Sequence, residues 1–264
     1  MEQNRTIGIV GGMGPQAGNA LFESITRQTA AACDQQHLPV ILMSFPELIA
    51  DRTAFLEGRG VENPAFNIAR IIARLECGGA SIVGMACNTA YVSAIYEVIL
   101  SELDRNQVRV ELLHMPLEAC RYIGETLGDS CRVGLMATNG TYRSGVYREA
   151  AYTQGFELLL PDPVFQQEVI HRMIYDPRFG IKANACEIHR EVHVMLERTF
   201  EYFAGKGVDA LIVGCTELSI AARARIFGGI KIIDPVEVFA RALIREACAG
   251  RPERLHLEDV DTTI

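Results

Sequence analysis

The chain has 264 residues, of which 49% are hydrophobic and 22% charged, a composition that excludes disorder, a collagen repeat or a coiled coil as the main architecture. The net charge of −8 comes from 25 basic and 33 acidic residues. No Lys/Arg-rich run offsets it, so no nucleic-acid partner is expected, and no stretch approaches the ~18 consecutive apolar residues of a membrane span.

The first apolar run, residues 6–10, follows a head containing Glu2 and precedes Pro15. That pattern reads as a buried strand rather than a secretory signal, and a cytoplasmic protein is expected. Similar short runs lie at 40–45, 80–86, 108–114, 132–137, 156–160, 210–213 and 231–233. They show little polar alternation, as strands buried on both faces of a parallel sheet do. Helical patterns fill the gaps. The first, 15–33, opens with Pro at a first-turn position. The second, 63–77, carries Phe66, Ala69, Ile72 and Ala73 at helical spacing and stops at Gly78-Gly79. The others are 89–104, 116–126, 142–153, 184–205, 216–226 and 235–248. Strands alternating with helices predict an α/β fold built on mostly parallel sheets flanked by helices. Residues 251–264 are polar and acidic without a period, and read as a loose C-terminal tail.

Two segments repeat. Ile7-Gly8-Ile9-Val10-Gly11-Gly12-Met13-Gly14 resembles Val133-Gly134-Leu135-Met136-Ala137-Thr138-Asn139-Gly140, 126 residues later. Gly79 to Val83 running into Cys87-Asn88 resembles Gly207 to Leu211 running into Cys215-Thr216, 128 residues later. A weaker match pairs 112–116 with 232–235, each an apolar strand before a Pro-opened helix. Offsets this close predict two pseudo-symmetric α/β domains. The first comprises 1–115 plus 234–250, the second 116–233, with the active site in the cleft between them. Ligands of open α/β sheets sit beyond the carboxyl ends of the strands, where both halves put a cysteine.

Eight cysteines with no C-x-x-C pair read as free thiols in a reducing compartment. Cys33, Cys77, Cys120, Cys131, Cys186 and Cys248 lie in helix or strand patterns and read as inert core. Cys87 and Cys215 differ, because they are equivalent in the repeat and sit just before a helix. A helix N-terminus favours thiolate and lowers a thiol's pKa. Two opposed thiol/thiolate groups suit a racemase or epimerase: one takes a proton from a stereocentre, and the other returns one to the opposite face.

Other motifs carry less. Gly12-Met13-Gly14-Pro15-Gln16-Ala17 fits a dinucleotide fingerprint, but the candidate ribose acids, Glu47 and Asp51, come late. The turn reads instead as N–H groups for a smaller anion such as a carboxylate, placing Met13 and Gly14 at the ligand. His189 and His193 are spaced i, i+4, but Arg190 stands where a zinc protease needs Glu; no metal is expected. No G-x-S-x-G elbow supports a hydrolase triad.

The segments Gly11 to Pro15, Ala86-Cys87-Asn88-Thr89-Ala90 and Gly214-Cys215-Thr216-Glu217-Leu218 resemble those of the aspartate/glutamate racemase family, in particular its aspartate racemase branch. Asp51-Arg52-Thr53 and Ile174-Tyr175-Asp176 with Lys182 resemble that branch too. The resemblance spans about residues 6 to 245. It implies racemisation by Cys87 and Cys215 without a cofactor, and a homodimer. It also implies that Arg52 and Lys182 hold the carboxylates of a dicarboxylic amino acid. Asn88, Thr89, Thr138, Thr216 and Glu217 complete the expected substrate contacts. The sequence departs from the family pattern at Tyr91, where His is common, and at Ser219, where Pro is frequent. L/D-aspartate is the expected substrate. The alternatives are a glutamate or broad Asp/Glu racemase, a maleate isomerase-like enzyme, and a dicarboxylate-binding protein without turnover.

Overall fold

The computed structural model describes residues 5–128, 131–184, 187–222 and 229–248. Four strands, β1 (Thr6–Gly11), β2 (Val40–Ser44), β3 (Ala80–Met85) and β4 (Glu111–Leu112), form a parallel sheet in the order β2-β1-β3-β4. Helices α1 (Pro15–Gln28), α2 (Arg52–Leu56), α3 (Ala65–Cys77) and α4 (Ser93–Arg105) connect them, and α5 (Met115–Leu127) follows. A second parallel sheet repeats the order as β6-β5-β7-β8. Its strands are β5 (Arg132–Ala137), β6 (Glu157–Leu159), β7 (Ala210–Gly214) and β8 (Lys231–Ile233). The helices around it are α6 (Asn139–Ser144), α7 (Val146–Thr153), α8 (Pro163–Phe165), α9 (Arg172–Tyr175), α10 (Arg190–Gly205) and α11 (Thr216–Ala222). The last helix, α12 (Pro235–Ala247), packs against α1, α5, β1 and β3. Two sheets of one topology are the architecture the internal repeat predicts.

The apolar runs become strands because both faces are covered. The central strands β3 and β7 are buried almost throughout. Glycine sets how closely helices approach. A Cβ on Gly84 would lie 2.6 Å from Phe239 of α12, and one on Gly134 would lie 2.6 Å from Phe203 of α10. Each sheet therefore uses a central glycine to seat a phenylalanine that is fully buried.

Several boundaries differ from the sequence expectation. The 15–33 helix stops at Gln28, and Thr29 turns its hydroxyl back to the Ile25 carbonyl. The 108–114 strand shrinks to the two-residue edge strand β4. The 89–104 helix is split into a 3-10 turn, Asn88–Tyr91, and α4. The 142–153 helix is divided by Gly145, whose φ of +77° is left-handed. The 184–205 helix begins only at Arg190, so His189 is its N-cap and does not share a helical face with His193. Two α-helical stretches lie outside the expected set: α2, which puts Arg52 at a helix start rather than in a loop, and α8 with α9, joined by a π-helical segment, Gln166–His171. The wider turn disturbs the 3.6-residue period that would reveal α8 and α9.

Cys120, Cys131 and Cys248 are buried as expected. Cys33 and Cys77 are exposed instead, because Cys33 lies past the end of α1 and Cys77 is the last residue of α3. Cys186, residues 223–226 of the expected 216–226 helix, and the 251–264 tail lie outside the described residues. Among the described residues no helix is long and apolar enough to cross a membrane.

Candidate active site

In each sheet two central strands lie side by side, β1 with β3 and β5 with β7, and the chain order reverses there. The carboxyl ends of strands at such a switch point leave a crevice. Met13 follows β1, Cys87 follows β3, Thr138 follows β5 and Cys215 follows β7. All four line one small cavity. Cys87 and Cys215 are only 6% and 5% exposed. The two thiols singled out by the repeat thus face a common pocket from opposite sheets.

Arg52, Asn88, Thr89, Lys182, Thr216 and Glu217 share that lining, as do two residues the sequence did not assign to the site, Tyr175 and Gly214. Gly14 stands at its edge, where its N–H donates to Glu217 Oε1 at 3.1 Å. The glycine turn therefore does hold a carboxylate, and the one it holds is a side chain from the other sheet. Gly12 makes the turn possible: its φ is +87°, and a Cβ there would meet the Phe45 and Pro46 backbone at 3.0 Å.

Around Cys87 the charge is positive. Arg52 opens α2, capped by Asp51, whose Oδ1 accepts from the Ala54 N–H at 2.7 Å. The guanidinium reaches back across the pocket floor. Its Nη2 donates to the Met13 carbonyl at 2.7 Å and its Nη1 to the Ala50 carbonyl at 3.3 Å. Burial opposes its charge, and the adjacent Cys87 sulfur and Asp51 carboxylate more than offset that, so the guanidinium's pKa is raised. Arg52 Nε is buried without a partner. Tyr175 donates to Asp51 Oδ2 at 2.9 Å, and its hydroxyl lies 3.3 Å from Thr53 Oγ1, tying α9 to the start of α2.

Around Cys215 a carboxylate dominates. Its thiol donates to Glu217 Oε2 at 3.0 Å, and Thr216 Oγ1 donates to the same oxygen at 3.3 Å. The other oxygen, Oε1, takes Lys182 Nζ at 2.5 Å. Burial pushes the Cys215 thiol pKa well up, and the Glu217 charge pushes it further; Lys182 opposes both. The lowered thiol pKa expected from a helix N-terminus is therefore not found at Cys215. Desolvation and a carboxylate at hydrogen-bond distance outweigh the end of a short helix. Glu217 itself meets a burial penalty, but Lys182 overcomes it and holds the carboxyl down to about 2.

The threonines are committed to one another. Thr89 Oγ1 lies 3.2 Å from Thr138 Oγ1 and 2.9 Å from Thr141 Oγ1, linking the two halves across the pocket wall. Asn88 Nδ2, like Arg52 Nε, is buried without a partner. Tyr91 does not line the pocket. It is 1% exposed, its hydroxyl accepts from the Met85 N–H at 2.9 Å and donates to the Met85 carbonyl at 3.3 Å, and its ring packs on His114. Ser219 donates to Asp234 Oδ1 at 2.8 Å, the oxygen that caps α12. Among the described residues no group of three or more His, Cys, Asp or Glu is placed to hold a metal ion.

Residues 10–243 match the Asp/Glu/Hydantoin racemase family. Among solved structures, the Picrophilus torridus aspartate racemase is similar, with a TM-score of 0.71 and 29% identity over 92% of this chain and 94% of that one. A Francisella tularensis glutamate racemase in complex with D-glutamate has a TM-score of 0.58 over 91% of this chain and 80% of that one; at 20% identity the likeness is one of fold. A curated glutamate racemase from a Picosynechococcus species is 25% identical over 185 residues, 68% of this chain. That match spans 58% of the relative's length.

Proposed function

Because the chain belongs to the Asp/Glu/hydantoin racemase family, a family of isomerases, we propose that it interconverts L- and D-aspartate, with Cys87 and Cys215 as its two acid–base groups. The observation that carries this reading is the pairing of two repeat-equivalent thiols in one buried pocket.

The surroundings of the two sulfurs divide the work. Cys215 keeps its proton, donated to Glu217. A thiolate at Cys87 has the Arg52 guanidinium beside it. From that state Cys87 removes the α-proton of a bound amino acid: the C–H bond breaks, an S–H bond forms, and the electron pair stays on the α-carbon beside its carboxylate. Cys215 then delivers its proton to the opposite face. A new C–H bond forms and the thiolate passes to Cys215, so the stereocentre is inverted. The reverse reaction, from D to L, starts from that state with Cys215 as the base; before another L-aspartate reacts, Cys87 gives up its proton to solvent and Cys215 takes one back. Two thiols supply both transfers without a cofactor.

Donor chemistry supports a dicarboxylate. Arg52 has five N–H donors and Lys182 three; the backbone takes two from the first and Glu217 one from the second. The donors left over, which include the unpartnered Arg52 Nε, together with the unpartnered Asn88 Nδ2, suit the carboxylates of such an acid. The aspartate racemase relative, similar along nearly its whole length, supports the four-carbon acid over glutamate.

The test is single-cysteine substitution. Cys87→Ala and Cys215→Ala should each lower kcat for aspartate by at least ~10²-fold, the usual contribution of a general acid–base group. A variant that keeps more than about a tenth of kcat removes its cysteine from this role.

A further inference from the structure

Asn88 follows Cys87 on the first sheet, and Tyr147 lies on α7, beside the second. They meet beneath the pocket, where the Tyr147 hydroxyl donates to Asn88 Oδ1 at 2.6 Å. Both are buried, at 1% and 2% exposure. Burial raises the phenol's pKa well above its usual value, so it keeps its proton and remains a donor. An amide has two orientations that differ only by exchange of oxygen and nitrogen. A donor fixed on the oxygen selects one of them and turns the NH₂ group the other way. That nitrogen is buried and has no partner in the free protein, while Asn88 lines the cavity. A buried donor left unpaired is rare in folded proteins and calls for a ligand or another specific reason.

We propose that Tyr147 is a positioning residue that locks the Asn88 amide with its nitrogen toward the pocket, where it donates to a carboxylate oxygen of the substrate. The inference rests on the racemase reading for the identity of that carboxylate. Without the phenol hydroxyl the amide is free to turn, and half of its orientations present an oxygen to an anion. The effect belongs to binding. Tyr147 touches no reacting atom and leaves the two thiols where they are.

The experiment is a double-mutant cycle on the full chain, comparing the parent, Tyr147→Phe, Asn88→Ala and the double variant with L-aspartate. Tyr147→Phe should raise KM roughly tenfold and leave kcat within about threefold. The double variant should be no worse than Asn88→Ala alone, since Tyr147 acts only through that amide. A loss of folding would lower the active fraction, and so kcat, without moving KM. An unchanged KM in Tyr147→Phe, or losses that multiply in the double variant, overturns the proposal. A parent that does not racemise aspartate overturns the racemase reading instead. The same cycle is then read in succinate affinity by calorimetry: coupled losses retain the role of Tyr147, whereas multiplying losses or no binding end it.

Discussion

The Cys215 sulfur lies 3.0 Å from Glu217 Oε2 and donates its proton there, so the pocket's second thiol is held protonated by a carboxylate two residues along the chain. Lys182 keeps that carboxylate ionised. The two sulfurs are equivalent in the repeat and opposite in electrostatic setting, with a guanidinium at Cys87 and a carboxylate at Cys215.

Replacing Glu217 tests that setting. Glu217→Gln removes the negative charge that opposes thiolate and leaves the Lys182 ammonium, which favours it. The pH midpoint for alkylation of Cys215, followed by peptide mass spectrometry, should move down by at least about one unit. The midpoint is the informative quantity, because a loosened pocket changes the rate of alkylation at every pH. A midpoint that stays in place or rises contradicts the role given to Glu217.

In the proposed mechanism Arg52 serves both the substrate and the sulfur. Arg52→Ala should lower kcat/KM for aspartate by at least ~10²-fold, as expected for losing a charge-assisted contact worth ~3 kcal/mol. Alanine, which leaves a cation unpaired, should be a poor substrate for the parent. Glutamate differs by one methylene, worth only ~1–3 kcal/mol of discrimination. Equal turnover of alanine and aspartate, or a fully active Arg52→Ala variant, rules out this pocket chemistry.

Tyr91 serves the fold. Tyr91→Phe leaves the buried Met85 N–H without the hydroxyl it meets at 2.9 Å. The variant should lose ~1–3 kcal/mol of stability in denaturant unfolding. Its kcat/KM should stay within about threefold of the parent, since the ring does not line the cavity. Parent stability combined with a large loss of kcat/KM would place Tyr91 in the chemistry after all.

Much of this was legible in the sequence because both-face burial writes parallel strands as unbroken apolar runs, and because the repeat put Cys87 and Cys215 at equivalent strand ends. Local reasoning failed where a distant partner decides the outcome. The thiol pKa expected from the helix end at Cys215 is reversed by burial and by Glu217, whose state depends on Lys182, 35 residues away. Glu217 also reaches Gly14 across 203 residues, and Tyr175 reaches Asp51 across 124. Tyr175 went unassigned because the π-helical segment before it hides the helix that carries it to the pocket. No spacing rule encodes these contacts; they follow from how the two sheets dock.

The most direct test of the two-thiol account is to incubate L-aspartate with the protein in D₂O. The α-proton of the remaining substrate is followed by NMR, and the product is separated by chirality. With Cys87 and Cys215 acting from opposite faces, the first D-aspartate formed carries deuterium, while the L-aspartate still present keeps its proton. Each single-cysteine variant should produce no D-aspartate at a comparable rate. Deuterium entering the remaining L-aspartate as fast as the product, which a single base serving both faces would give, or the absence of any D-aspartate from the parent, would contradict the account.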